Sequence, residues 1–424
     1  MKRKERQVTE KEIYLWNMIG SVLNVTASVF FLIAVTRLSE STQSDAFNLG
    51  WSVAYLMLTI GAFSVRMFQA TDVKEQYSFR QYSILRFITV AAMGLVSLLY
   101  AILNRHTTLE TATILLLCTY KAIEAISDLF QGRFHQKERL DLAGKAMSAR
   151  IVLSVVAFVA ALLITHDVIV ACVAINLVSL TCLGLFDIRF LYATGLQSKE
   201  KQKGEVSRIP GLAMQCLPLF LNAFLLMFVF NEPKEAIADA IAEGVLADGA
   251  QTAYSVLFMP SLALNLLILV LYPLITKMAL LWASGNAKGY VSLLMRIVGA
   301  LTAMSVAILG VAYLIGIPVL EILFGIELDG KRTLFLILLA GGCCNALMNV
   351  FSNAITVIRK HYALLPGCAV VAGLVWFYAH RMVNSEGLLG AGKVFLTSQV
   401  ALLLVDAGVF VVMRPKGKKE EVSK

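Results

Sequence analysis

Apolar stretches of about twenty residues recur along this 424-residue chain, and the short polar segments between them collect nearly all of its charge. A helix needs about 20 mostly apolar residues to cross the hydrocarbon of a bilayer. The pattern therefore predicts twelve membrane-spanning helices, at roughly 14–36, 46–67, 84–104, 110–130, 150–165, 168–192, 211–231, 253–276, 294–317, 333–358, 364–382 and 391–413. The fifth is the shortest, bracketed by Arg150 and by the Thr165-His166-Asp167 turn. The basic start Lys2-Arg3-Lys4 before an apolar run could read as a secretion signal, but no small-residue cleavage site follows Leu38, so the first span is expected to stay.

Composition agrees with a chain solvated by lipid, since 58% of its residues are hydrophobic and only 15% charged. The net charge of +9 could suggest nucleic acid, so its distribution decides. With the amino terminus inside, the external segments hold Arg37, Arg105, Lys234, Lys331, Arg332, Arg381 and Lys393, Lys121 lies in a span, and the other 29 of the 37 basic side chains are internal. Such an asymmetry is the positive-inside rule, and it predicts a multi-pass protein of the plasma (inner) membrane with both termini cytoplasmic. The basic balance then reports topology and contact with anionic membrane lipids, and no nucleic-acid partner is expected.

The most polar interior connection, 194–208, divides the spans six and six. The expected organisation is an N-terminal six-helix bundle over 1–197, a cytoplasmic linker over 198–209 and a C-terminal six-helix bundle over 210–424. The longest external segment, 231–251, has Ile237, Ile241, Val245 and Ala247 at loosely helical spacing, which predicts a short helix on the outer surface. Pro210, Pro218, Pro260, Pro273, Pro318 and Pro366 stand at or within span ends, either as bends along a path or as helix starts and packing kinks.

Chemistry of an enzymatic kind has little to stand on. There is no Gly-rich phosphate loop, no paired-aspartate motif, no zinc-protease motif and no large external domain, so neither catalysis nor a cofactor is expected. The seven cysteines all fall in predicted spans without paired spacing and read as packing residues. The five histidines are scattered, and no metal site is expected.

Polarity inside the spans is more informative, because a charge at the bilayer centre costs roughly 2.5–3.5 kcal/mol on insertion scales. Lys121, Glu124 and Asp128 share one helical face at i, i+3 and i+7. They line a path, or Lys121 and Glu124 form a buried pair that fixes the bundle while Asp128 lies at the interface. Asn345, Asn349 and Asn353 share a face likewise, either lining a hydrophilic path for sugar hydroxyls or clamping neighbouring helices. Asn17, Asn24, Asn222 and Asn265 are isolated, and Asp187, Arg189 and Asp406 read as interface residues near span ends.

Several segments together carry a likeness. They include Val35-Thr36-Arg37-Leu38, Gly61-Ala62-Phe63-Ser64-Val65-Arg66 to Gln69, Asp72-Val73-Lys74-Glu75-Gln76-Tyr77-Ser78-Phe79 and Lys121-Ala122-Ile123-Glu124-Ala125-Ile126-Ser127-Asp128. Further on come Gln136-Lys137-Glu138-Arg139-Leu140-Asp141 with Gly144-Lys145, Asn231-Glu232-Pro233-Lys234, Leu257-Phe258-Met259-Pro260 with Asn265-Leu266, and Gly316-Ile317-Pro318-Val319-Leu320. On these the chain resembles the Wzx-like O-antigen and capsular polysaccharide repeat-unit flippases, within the multidrug/oligosaccharidyl-lipid/polysaccharide exporter superfamily. The departure is the Ala-rich segment after Lys234.

The resemblance implies an all-α integral membrane protein, with about twelve transmembrane helices in two six-helix bundles around a central cavity that alternates between inward-facing and outward-facing states. It implies a transporter, not an enzyme, that moves an undecaprenyl-pyrophosphate-linked oligosaccharide to the outer face for surface polysaccharide synthesis. Partners would be that lipid-linked oligosaccharide, membrane lipids, and the polysaccharide polymerase and glycosyltransferases. Arg37, Arg66, Lys121 and Lys234 match the family's basic positions and become candidates for the anionic diphosphate or an acidic sugar, with Glu124, Asn345 and Asn349 as further candidate cavity residues. The alternatives are a cation-coupled drug antiporter of the same superfamily, disfavoured by the absence of a carboxylate from 14–36, a membrane-embedded polysaccharide polymerase or ligase, and a non-transporting scaffold of a polysaccharide-assembly complex.

Overall fold

The computed structural model describes residues 9–72, 75–104, 106–196, 206–264, 274, 277, 278, 280–282, 284–358 and 360–413, and every regular element among them is a helix. The amino-terminal basic run, Val73, Lys74, Arg105, the centre of the expected linker and Asn265 lie outside the described residues.

In chain order the helices are α1 Glu10–Leu38, α2 Ser41–Ala62, α3 Val65–Thr71, α4 Phe79–Leu103, α5 Thr108–Gln136, α6 Leu140–Thr165, α7 Val168–Cys182, α8 Arg189–Ala193 and α9 Ile209–Ala242. Then come α10 Ala250–Ala263, α11 Ala287–Val311, α12 Ile317–Phe324, α13 Arg332–Val357, α14 Leu365–Glu386 and α15 Leu388–Met413. Wide π turns at Leu183–Ile188 and Ala312–Gly316 join α7 to α8 and α11 to α12. Local sequence sets the starts. Ser78 with Gln81 and Thr107 with Glu110 form complete capping boxes at α4 and α5, and the Asp167 carboxylate caps α7.

Nine described stretches are long and apolar enough to cross a membrane, and α2 and α5 are not among them. Their polarity explains the difference. Ser44, Asp45, Asn48 and Ser52 on α2, and Lys121, Ser127, Gln131 and Arg133 on α5, are buried inside the protein, where α2 and α5 pack together. By contrast α4 and α6 leave Phe87, Ile88, Leu95, Val152, Val156 and Ile164 exposed. An exposed apolar belt of this kind suits lipid and would be an aggregation hazard in water.

By packing, the chain divides into Met1–Met227 and Phe228–Lys424, a boundary that falls within α9. The first turns of α9 belong to the first unit, since Ile209, Leu212 and Cys216 share a core with Val65, Tyr77, Tyr82, Leu85 and Leu129. In this unit α1 packs on α6, α2 and α4 on α5, and α5 and α6 on α7. The α1–α6 contact is close because it is made by glycine: a Cβ on Gly144 would lie 2.2 Å from the Trp16 carbonyl oxygen, and one on Gly20 would lie 3.1 Å from the Gly144 backbone. Small residues permit such approach where lipid supplies no hydrophobic drive between helices.

In the second unit α13 packs against α10, α11 and α15, again through glycine, with Gly341 against the Phe395 ring and Gly342 against Ser261. The Ser261 hydroxyl donates to the Leu338 carbonyl at 2.8 Å, and Tyr290 donates to the Ala354 carbonyl at 2.7 Å.

Two expectations need correction. The segment 231–251 is not a separate surface helix: α9 runs without interruption through Pro233 to Ala242, with Ala236, Ile237 and Ala240 fully buried. Burial of this apolar face extends the helix, and the chain turns only afterwards, reaching Gly249 at φ 89° before α10. The fifth span also starts earlier than its apolar run, since α6 begins at Leu140 and Arg150 lies inside it.

The α1–α6 approach makes a prediction. Gly144→Ala overpacks the contact and should cost about 1–3 kcal/mol, lowering the thermal unfolding temperature of the purified protein, whereas Gly94→Ala, with open space around its Cβ, should not. Equal behaviour of the two variants would contradict the packing described.

Candidate functional site

The first unit gathers ionisable side chains in its interior, and α5 contributes Lys121, Glu124, Asp128 and Arg133. Lys121, Glu124, Asp128 and Gln131 recur at helical spacing on one side of α5. The Lys121 ammonium lies 2.9 Å from Glu124 Oε2, and Arg150 of α6 approaches the same oxygen at 3.7 Å. Lys121 and Arg150 side chains are only 3% and 2% exposed. Two desolvated cations thus share the Glu124 carboxylate, and Asp187 is a further carboxyl facing Arg150. Arg150 Nε and Nη1 make no hydrogen bond among the described residues.

An aromatic wall covers the ammonium. Lys121 Nζ lies 3.8 Å from the Tyr55 ring centroid, 4.6 Å from Trp51 and 5.7 Å from Tyr120. Ring faces attract a cation, by about 2 kcal/mol or more when it is desolvated. Trp51 and Tyr55 are themselves oriented through Ser28, which accepts from Trp51 Nε1 at 3.2 Å and lies 3.2 Å from the Tyr55 hydroxyl.

One turn further along α5, Asp128 holds two arginines. Arg66 binds Oδ1 at 2.9 Å and Arg86 binds Oδ2 at 3.0 Å. Arg86, fully buried, also donates to the Gly61 carbonyl at 2.7 Å, and Thr89 donates to the same carbonyl at 2.8 Å. These bonds tie down the end of α2, where Phe63 and Ser64 take left-handed conformations at φ 44° and 53° before α3 begins. Such a conformation is disfavoured for residues other than glycine and is held by its surroundings. Asp128 is therefore a shared anchor for the α2–α3 break and not a bare interface residue.

A third set continues from Arg66, which donates to Gln131 Oε1 at 3.0 Å; Gln131 Nε2 donates to Ser127 Oγ at 3.1 Å, and Ser127 donates to Asp187 Oδ2 at 2.9 Å. Asp187 lies in the π turn and is 1% exposed, so it is not the interface residue its position near a span end suggested. At the C-terminal end of α5, Glu75 pairs with Lys137 and with Arg133 at 3.4 Å. The Lys137 hydrogen bond and the Arg133 charge hold the Glu75 carboxyl below its usual range against the opposing effect of burial.

The structure brings Arg66, Lys121 and Glu124 into one connected region of the first unit and leaves Arg37 out of it. Arg37 is exposed in the last turn of α1, where a cation complements the helix dipole. Lys234 belongs to the second unit, half-buried on α9 with its ammonium 5.0 Å from the Phe258 ring centroid. Asn345 is buried, and Asn349 and Asn353 donate to the carbonyls of Asn345 and Asn349 at 2.9 and 2.8 Å, so these two amide nitrogens bond along α13 and, among the described residues, donate to no other helix.

Arg86, Arg150, Gln131 and Asp187 were not among the sequence candidates. Hydropathy windows stop at charges, which put Arg86 and Arg150 at span edges. The Ser78-to-Gln81 capping box was the legible signal that α4 begins earlier and carries Arg86 inside.

No family model matches this sequence, and no curated protein does. Among solved structures the chain is similar to the inward-facing form of a multidrug resistance MATE family transporter of the MOP superfamily, with 13% identity, 93% of this chain and 97% of that one covered, and a TM-score of 0.66. It is similar to a point mutant of the MATE transporter VcmN of Vibrio cholerae, with 13% identity, 95% and 97% covered and a TM-score of 0.60. It is also similar to a MOP superfamily transporter of Pyrococcus furiosus described as having a binding pocket of reverse polarity, with 13% identity, 95% and 94% covered and a TM-score of 0.60. At this identity the likeness shows the fold: an all-α membrane protein with twelve transmembrane helices in two bundles.

The two arginines on Asp128 differ in environment, and their removal should differ accordingly. Arg86→Leu removes two charge-assisted hydrogen bonds made by a fully buried guanidinium and should cost about 1.5–3 kcal/mol, while Arg66→Leu, at a side chain 32% exposed, should cost about 1 kcal/mol or less. Denaturant unfolding of the purified variants checks this, and equally small losses would contradict the anchoring role given to Arg86.

Proposed function

We propose that this chain is an alternating-access exporter of amphiphilic cargo in a bacterial-type plasma membrane, with both termini cytoplasmic and the bundles 1–197 and 210–424 joined by the linker 198–209. The fold likeness supports transport, since each solved relative named above is a transporter and the likeness extends over nearly the whole of both chains.

On the cargo, two observations favour different readings. The solved relatives are multidrug and MATE transporters, and they support a drug antiporter better than a lipid-linked oligosaccharide flippase. The site itself supports a cargo bearing negative charge. Glu124 is engaged by Lys121 and Arg150, and Asp128 by Arg66 and Arg86. A cationic drug would have to displace a resident cation from either carboxylate, whereas an anion needs only to take over the excess positive charge. The single observation that carries the anionic reading is that Lys121, Arg150, Arg66 and Arg86 outnumber the carboxyls that face them, Glu124, Asp128 and Asp187. A lipid-linked diphosphate oligosaccharide, with a polyprenyl tail left in the bilayer, is the anionic amphiphile that the sequence resemblance favours. Aromatic rings beside Lys121 also suit sugar faces.

Flux through proteoliposomes of the purified protein separates these readings. The expected result is export of a lipophilic anion and of a polyprenyl-diphosphate oligosaccharide, with little export of a lipophilic cation. Lys121→Ala should lower anion flux by roughly tenfold or more, equivalent to about 1.4 kcal/mol. The variant should remain folded because Arg150 already stands beside Glu124. Lys121→Arg should keep part of the flux, and replacing Lys121 and Glu124 together by leucine should give a folded, inactive protein. A fully active double variant, or cation flux that ignores Lys121, would overturn the anionic reading and leave the drug antiporter.

A further inference from the structure

The buried carboxyl of Asp187 carries a charge that the transport reading does not use. Its Oδ2 accepts from Ser127, but Oδ1 is buried and meets no hydrogen-bond donor among the described residues. An ionised oxygen without a donor, away from water, is an expensive arrangement. Nor does the backbone place it there by default, because Asp187 belongs to the π turn Leu183–Ile188. Such single-turn widenings re-aim a side chain at the cost of regular bonding and are frequent at functional sites.

We propose that Asp187 is a proton-binding site, with the proton taken up on Oδ1 so that the carboxylate becomes a neutral acid. The π turn packs against α5 and α6. The groups that face Asp187 are Ser127 and Asp128 from α5, Arg150 from α6 and Cys182 on its own helix. Glu124 bears on it through Arg150, since the two are 3.7 Å apart. The site does not suit a metal cation. It offers one free carboxylate oxygen with a guanidinium as its neighbouring cation, whereas calcium takes about six to eight oxygens. Among the described residues no three His, Cys, Asp or Glu side chains converge on a point.

The proton has a defined consequence. Arg66, Gln131 and Ser127 each donate toward Asp187 in turn, ending on Oδ2. An anion at the end of this chain polarises every bond in it, and a neutral acid does so less. Uptake of a proton therefore loosens the hold of Gln131 on Arg66 and leaves Asp128 as the main partner of that arginine. Arg66 lies in the first turn of α3, just after the left-handed Phe63–Ser64 break, so the charge of Asp187 is read out at the joint between α2 and α3. The assignment holds for either charge of cargo.

Infrared difference spectroscopy of the full-length protein in nanodiscs, titrated with acid, tests the proton site without any transport assay. The expected spectrum contains a buried carboxylic-acid carbonyl band that is lost in Asp187→Asn, is retained in Asp406→Asn and does not respond to sodium. The asparagine is nearly isosteric and keeps an acceptor for Ser127. Should that variant not fold, Ser127→Ala removes the donor to Oδ2 and should move the same band to higher frequency. An unchanged band in Asp187→Asn, an unmoved band in Ser127→Ala, or a band that sodium abolishes would overturn the proposal.

Discussion

The cost of leaving a charge without a partner in a low-dielectric interior governs the first unit. Lys121, Arg150, Arg86 and Asp187 are almost completely removed from the surface, in a chain whose outer face on α4 and α6 is apolar. Their charges can be kept only by sharing counter-charges across helices. Glu124 therefore serves α5 and α6 at once, and Asp128 joins α5 to both α3 and α4. The same sharing explains why α2 and α5, the helices too polar to pass as membrane spans, are packed inside the unit.

Under the proposed function, the same sharing sets the sign of the cargo. A site in which carboxylates outnumber cations would receive a positive ligand. Here Glu124 and Asp128 are each held by two basic side chains, and the wall beside Lys121 is made of rings that tolerate both a cation and a sugar face. The Pyrococcus furiosus relative, described as having reverse pocket polarity, shares this fold at a TM-score of 0.60. Fold and charge are separable properties, and a site has to be argued from its own side chains.

Much of this was legible in the sequence. The apolar runs located most of the helices, and the face shared by Lys121, Glu124 and Asp128 was visible from spacing alone. What stayed hidden has physical reasons. Arg86 and Arg150 sit inside helices whose first turns are polar, so an apolar window starts too late and places them at the edge. Asp187 reaches the interior through a π turn, a local change of helical period that residue spacing does not announce. α9 runs on past its apolar run because Ala236, Ile237 and Ala240 find a core to bury in, a tertiary effect that overrode the local signals for a separate surface helix. The bonds of Asn349 and Asn353 along their own helix were equally invisible, since spacing shows which residues share a face and not which acceptor a carboxamide will choose.

A negatively charged cargo held at the cation cluster under Trp51 has a spectroscopic consequence. Trp51 is one of four tryptophans in the chain, and its ring centroid is 4.6 Å from the Lys121 ammonium. Its emission should therefore report the displacement of that ammonium. The direct measurement is fluorescence of the protein in nanodiscs during titration with a polyprenyl-diphosphate oligosaccharide and, separately, with a lipophilic cation. Anionic cargo at this cluster should give a saturable change that disappears in Trp51→Phe and in Lys121→Ala. A saturable change with the cation alone, or an anion response that persists without Lys121, would contradict it.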